Sequence, residues 1–130
     1  TSPFILMALI YGRSNLGQGA MKLEKLDCMR LPIINPEKLS KNVVKNMLYQ
    51  YSVFSLREIS DLFTECGIDP ESEDPIAEQE PNPLPDRKEL DDIVFDALGL
   101  TEEERKEVYR AVCQLVWERI SKARSVKQNG

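Results

Sequence analysis

The sequence predicts a mainly α fold: four to five helices ending in a C-terminal helical hairpin, with at most a short β-strand or hairpin near residues 20–26. Three observations carry this expectation. Apolar side chains recur at helical spacing through most of the chain. Cap-plus-acid pairs stand ahead of several of these stretches. Glycines at 12, 67 and 99 stand where stretches end.

In chain order, "SPFILMALIY" offers Ser2 as a cap and Pro3 as a first helical residue, which predicts a helix over 3–11. Being apolar nearly all round, it should be buried on most sides. Gly12 ends it. In "MKLEKL" apolar and charged residues alternate as in a short strand, with Met21, Leu23 and Leu26 on one side. A brief helical turn through Asp27 to Arg30 fits equally well. Val44, Met47, Leu48 and Tyr51 then share one face of a helix over 36–51. "SLREISDLFTECG" places Ser55 and Glu58 in capping-box register, with Leu56, Ile59, Leu62, Phe63 and Cys66 on a stripe and Gly67 as the stop.

Residues 67–85 hold five of the eight prolines and six acids without a Lys or Arg, so no regular element is expected. A solvated linker is the first reading. The proline spacing also suits an extended segment strapped across a surface. Beyond it, Asp86 with Glu89 and Thr101 with Glu104 fit the cap-plus-acid register, and Gly99 separates two helices. Leu90, Ile93, Val94 and Leu98 mark the inner stripe of the first; Val108, Val112, Leu115, Val116 and Ile120 mark that of the second. Tyr109 and Trp117 near that stripe read as core packing, and Cys113 as a small buried apolar residue.

Composition narrows the function. The 130 residues are 42% hydrophobic, enough for one modest core, and carry a net charge of −5. Bulk positive charge for nucleic-acid binding is therefore lacking. Residues 1–66 carry eight Lys+Arg against six Asp+Glu, and residues 67–130 nine against sixteen, so a polyanion would meet the first half. With no histidine, Ser/His and Cys/His nucleophilic chemistry is excluded, together with the commonest metal ligand. Three widely spaced cysteines suggest neither a disulfide framework nor a zinc motif, and a reducing, cytoplasmic setting fits them. "FILMALIY" is too short to span a bilayer and lacks the basic flank of a signal peptide. Because this apolar helix begins so near Thr1, the sequence reads as cut from a longer protein. The carboxylate pairs Asp91/Asp92 and Glu102/Glu103 are expected to be solvated on helix starts or outer faces.

The densest chemistry lies in "YGRSNLGQGAMK", with three of the six glycines inside eight positions. Gly12 and Gly17 have the spacing of a phosphate-binding loop, but Gln18 stands where its lysine is required. A dinucleotide fingerprint also fails, because Lys22 takes the place of the third glycine. Gly12, Gly17 and Gly19 let a backbone approach another surface closely. Arg13, Ser14, Asn15, Gln18 and Lys22 are side chains that hydrogen-bond phosphates and base edges. The same groups suit an ordinary connecting loop facing water, and composition alone favours that reading.

Two longer stretches carry a resemblance. "LIYGRSNLGQGAMKLEKLDCMRLPIINP" resembles the end of the target-recognition region in the N-6 adenine DNA methyltransferases of restriction-modification systems. "LPDRKELDDIVFDALGLTEEERKEVYRAVCQLVWERISKARSV" is similar to the C-terminal helical hairpin of the same large type II methylase subunits. Together they cover around half of the chain, in the family's order. The resemblance implies that residues 1–35 close the target-recognition region and 86–130 form the hairpin; between them, spacing and composition give a helical pair over 36–66 and a linker over 67–85. It assigns Gly12, Gly17, Gly19 and Lys22 to the family's glycine loop, and Leu31 and Pro32 to its closing turn.

The parent enzyme so implied methylates the exocyclic amine of a flipped-out adenine, using S-adenosylmethionine. The family's catalytic Asn/Asp-Pro-Pro-aromatic signature is matched by neither "INP" at 34–36 nor "PNP" at 81–83, and the cofactor loop is missing. The chain is accordingly expected to be non-catalytic alone, with no cofactor of its own. Its expected partners are double-stranded DNA, the upstream methyltransferase domain and, where that domain is missing, a second copy covering the first helix; no membrane is expected. The alternative is a helical protein–protein interaction or scaffold module without DNA contact.

Overall fold

A computed structural model describes residues 1–11 and 34–128. Among the described residues the chain is mainly helical, without a strand: α1 (Ser2–Tyr11), α2 (Lys41–Phe54), α3 (Leu62–Cys66), α4 (Pro85–Leu98) and α5 (Glu102–Gln128). The strand expected near 20–26 lies outside the described residues. α4 and the 27-residue α5 form the C-terminal hairpin. α1 lies against α5 and also meets α4, α2 packs on α4, and α3 packs on α5.

The hairpin is built by local signals. Pro85 stands in the first turn of α4, where its missing N–H removes no helical bond. Leu84 is its cap, so the expected Asp86/Glu89 box does not form; Asp86 faces Arg57 instead. Gly99 adopts φ +70° and ends α4 with Leu100 N–H donating to Phe95 O at 3.1 Å. Thr101 and Glu104 then cap α5 reciprocally: Thr101 N–H donates to Glu104 Oε2 at 2.8 Å, and Glu104 N–H to Thr101 Oγ1 at 3.3 Å. Glu102, Glu103 and Glu104 occupy the first turn of α5, the arrangement its dipole favours.

The middle of the chain departs from the expected helices. The helix expected over 36–51 is divided: a 3-10 turn at Pro36–Lys38 is followed by extended Leu39 and Ser40, and Ser40 Oγ accepts Val43 N–H to start α2. α2 continues to Phe54, which is buried, whereas Leu48 and Tyr51 of the expected stripe are exposed. The helix expected from Ser55 does not form there. Ser55 terminates α2, its N–H bonded to Tyr51 O and its hydroxyl donating to Ser52 O, so it is not free to cap a new helix. The next helix waits for Asp61, whose carboxylate accepts Thr64 N–H at 3.1 Å. Leu56 and Ile59 consequently stay outside any buried stripe.

Residues 67–85 form a strap packed on the hairpin, which corrects the solvated-linker reading. Ile68, Ile76 and Pro81 are buried, while Asp69, Glu71, Glu73, Asp74, Glu78 and Glu80 face water. Gln79 closes the strap on itself, accepting Asp69 N–H at 2.9 Å and donating to Asp69 O and Asp74 O. A 3-10 turn at Ile76–Glu78 lies against α5. Prolines bar a helix here but not burial, and the two isoleucines supply the apolar surface that fixes the path. They join Cys66, Phe95, Tyr109 and Cys113 in one core, with Phe95 and Tyr109 edge-to-face at 5.7 Å between centroids. Trp117 packs at the edge of this core, edge-on to Phe63.

Candidate functional site

The residues named from the sequence as DNA contacts, Arg13, Ser14, Asn15, Gln18 and Lys22, lie outside the described residues, as do Gly12, Gly17, Gly19, Leu31 and Pro32. The structure describes what flanks them. α1 ends at Tyr11 and the chain is described again from Ile34, and both flanking helices dock on the hairpin, α1 on α5 and α2 on α4.

The dock of α1 is a buried charge cluster. Asp91, in α4, is 1% exposed. Its Oδ1 accepts Ser2 N–H at 2.9 Å, and its Oδ2 accepts the Ser2 hydroxyl at 2.7 Å and the Tyr109 hydroxyl at 3.0 Å. Arg87, one turn earlier, pairs with Asp91 at 3.5 Å and donates through Nε and Nη2 to Ser2 Oγ. The expectation that Asp91 is a solvated surface carboxylate is thereby corrected.

The cluster continues through fully buried Glu65, 3.6 Å from Arg87 Nη1. Arg57 grips Glu65 with two parallel bonds of 2.7 Å and also reaches Asp86. Ser60 N–H adds a bond to Glu65 Oε1 at 2.9 Å. Asp86, Arg57, Glu65, Arg87 and Asp91 thus alternate in sign across α3, α4 and the 55–60 turn, with Ser2 of α1 and Tyr109 of α5 closing one end. Arg57 also lies over the Phe54 ring at 5.0 Å, which brings in the end of α2.

The electrostatics fit a structural staple. Hydrogen bonds from Arg57 hold the Glu65 and Asp86 carboxyls below their usual range, against the opposing effect of burial. Burial, with the charge of Asp91 beside it, pushes the Tyr109 hydroxyl up, so it stays protonated and donating. The Cys113 thiol, hydrogen-bonded to Cys66 and buried, is likewise pushed up and is no nucleophile at neutral pH. A general base must reach a substrate proton, and the carboxylates of Glu65 and Asp91 are enclosed and already bonded. Among the described residues no group of three or more Cys, Asp or Glu side chains is placed to hold a metal ion.

Comparison with protein-family models, with curated proteins and with solved structures finds no match.

The cluster is invisible to residue-by-residue reading because Arg, Glu and Asp on helices ordinarily face water. One signal was present. Arg87, Leu90, Asp91, Val94 and Phe95, the buried residues of α4, fall at i, i+3, i+4, i+7 and i+8, a complete helical face once the two charged residues are included.

The outer face of α2 is a second feature. Lys41, Asn42, Lys45, Asn46 and Tyr49 are exposed there, and none of the helix's 14 residues is acidic. A shallow groove lined by Pro36, Glu37, Leu39, Val44 and Leu48 runs beside Lys41 and Lys45, with Glu37 its one acidic residue.

Proposed function

We propose that the chain is the C-terminal DNA-recognition and structural portion of an S-adenosylmethionine-dependent DNA adenine methyltransferase of a restriction-modification system, acting in the cytoplasm and not catalytic by itself. One structural observation carries this reading beyond the resemblance: the helices flanking residues 12–33 are both docked on the hairpin, α1 through Ser2 and Asp91 and α2 through α4. Binding residues are commonly carried on segments that connect elements of a rigid scaffold. In this reading the donor binds the upstream domain, and the chain's own task is to hold DNA-facing residues in place.

The test is binding of the full chain and of Arg13→Ala/Lys22→Ala to a labelled duplex across a salt series. Binding that weakens steeply with salt, with a log–log slope about two units smaller in the double variant, supports the reading. Salt-insensitive or absent binding overturns it.

A second reading, a helical interaction module without DNA contact, is favoured by one observation. Leu48, Tyr51, Leu56 and Ile59 are 59–85% exposed on and just after α2. Self-association in sedimentation, abolished by Leu56→Asp/Ile59→Asp and accompanied by no DNA binding, is the result that selects it.

A further inference from the structure

We infer that the outer face of α2 is a contact surface for the phosphate backbone of double-stranded DNA, separate from the glycine-rich segment. This rests on the DNA reading above.

The chain has 22 acidic residues, yet α2 has none. Elsewhere Arg57, Arg87, Lys88, Arg105, Lys106 and Arg110 form ion pairs with neighbouring carboxylates, whereas Lys122 and Lys127 near the end of α5 form none among the described residues and so make a matched control. Lys38, Lys41 and Lys45 are exposed and form no ion pair among the described residues. The side chains of Asn42, Asn46 and Tyr49 are likewise without a hydrogen-bond partner there. The first turns of the helices differ in the same sense. α5 neutralises the positive end of its dipole with three glutamates, whereas α2 has no acid in its first turn and carries Lys41 there.

The inner side of the helix settles its orientation. Val43, Val44, Met47 and Phe54 are buried or half-buried as α2 packs on α4, so Lys41, Lys45 and Tyr49 point away from the protein. Lys41 and Lys45 stand one turn apart, roughly 6 Å along the axis, within reach of neighbouring phosphates on one strand. Leu48, i+7 from Lys41 and i+3 from Lys45, is exposed beside them, and Asn42, Asn46 and Tyr49 extend the face on its polar side. Uncompensated cations beside free amide and hydroxyl donors complement a polyanionic backbone, and they would be a poor match for an apolar protein surface.

The experiment uses the full chain, a labelled duplex and a salt series. Lys41→Gln/Lys45→Gln is compared with Lys122→Gln/Lys127→Gln, which removes the same charge from the far end of α5. Each phosphate contact contributes about 0.9 to the log–log salt slope. The α2 pair is expected to lower the slope by about two, equally for duplexes of different sequence, while the α5 pair leaves it unchanged. These lysines are exposed, so both variants should melt like the wild type. Wild-type binding with an unchanged slope in the α2 variant overturns the inference and leaves the DNA reading standing. An equal fall in both variants also overturns it, because general charge then accounts for binding. If the wild type shows no salt-sensitive binding, the DNA reading fails and the inference fails with it.

Discussion

Ser2 and Asp91 stand 89 positions apart, yet the Ser2 amide and hydroxyl both donate to the Asp91 carboxylate, at 2.9 and 2.7 Å. Tyr109 supplies a third donor, at 3.0 Å. One carboxylate therefore joins α1, α4 and α5.

Asp91→Ala removes the acceptor for all three donors and leaves Arg87 without its neighbour in α4. Breaking a buried charged pair from one side destabilises by about 3 kcal/mol. Glu89→Ala, on the exposed side of α4, should change stability by less than about 0.5 kcal/mol. Urea midpoints of the two variants check this directly. A mild effect of Asp91→Ala would mean that α1 is held by its apolar contacts alone.

The two described glycines with positive φ separate conformational strain from steric strain. At Gly99 an added Cβ meets nothing within 4 Å, so Gly99→Ala bears only the left-handed backbone penalty, about 1–2 kcal/mol. At Gly67 the same Cβ would lie 2.0 Å from the Asn82 carbonyl oxygen, where the strap crosses the end of α3. Asn82 N–H is bonded to Cys66 O at 3.1 Å, so the strap can yield only by breaking that link. Thermal melts should show Gly67→Ala destabilised by clearly more than Gly99→Ala; equal shifts would contradict this packing.

Ile76 tests whether the acidic, proline-rich strap belongs to the core. It is 5% exposed and clusters with Phe95, Tyr109 and Cys113. Ile76→Ala should lower stability by about 2–4 kcal/mol, as expected for a large-to-small core change. A nearly neutral result would restore the solvated-linker reading.

The pH dependence follows from Arg57. Glu65 and Asp86 have folded-state pKa values below their unfolded ones, because Arg57 bonds their charged forms. Asp61, bonded by the Thr64 hydroxyl and amide, is lowered as well. For depressed acids the stabilisation is complete above the unfolded values, about 4 to 4.5, and is lost as pH falls through the folded ones. Urea midpoints should be nearly flat from neutral pH down to about 5 and drop below about 4. Arg57→Gln should start lower at neutral pH and fall less steeply in acid. Parallel curves for the two proteins would show that the Arg57 pairs do not set the acid limit.

The hairpin and its punctuation were legible in the sequence by itself. Gly67 and Gly99 adopt the positive φ that their place after apolar stripes implies, and Thr101 and Glu104 cap each other as their spacing requires. These are local devices, satisfied within a few residues, so a one-dimensional reading reaches them. Where two caps compete for the same stretch, it does not: the register predicts a helix from Ser55, whereas α3 starts at Leu62 behind its Asp61 cap, because Ser55 is consumed in closing α2. The candidate DNA residues of the glycine segment were named from sequence and fall outside the described residues. The absence of acids from α2 is plain in its sequence, but that Lys41 and Lys45 face outward follows only from the burial of its opposite side.

Which charged residues are buried was decided by tertiary structure alone. Glu65, Arg87 and Asp91 are residue types that ordinarily face water on helices, and only the continuous face that Arg87 and Asp91 share with Leu90, Val94 and Phe95 hints otherwise. The difference is made by partners far along the chain, Ser2 for Asp91 and Glu65 for Arg87, because a charge leaves water only where donors or counter-charges replace its hydration. The same holds for the strap. Its prolines excluded a helix from the outset, but only the surface offered by α5 gave Ile76 somewhere to be buried.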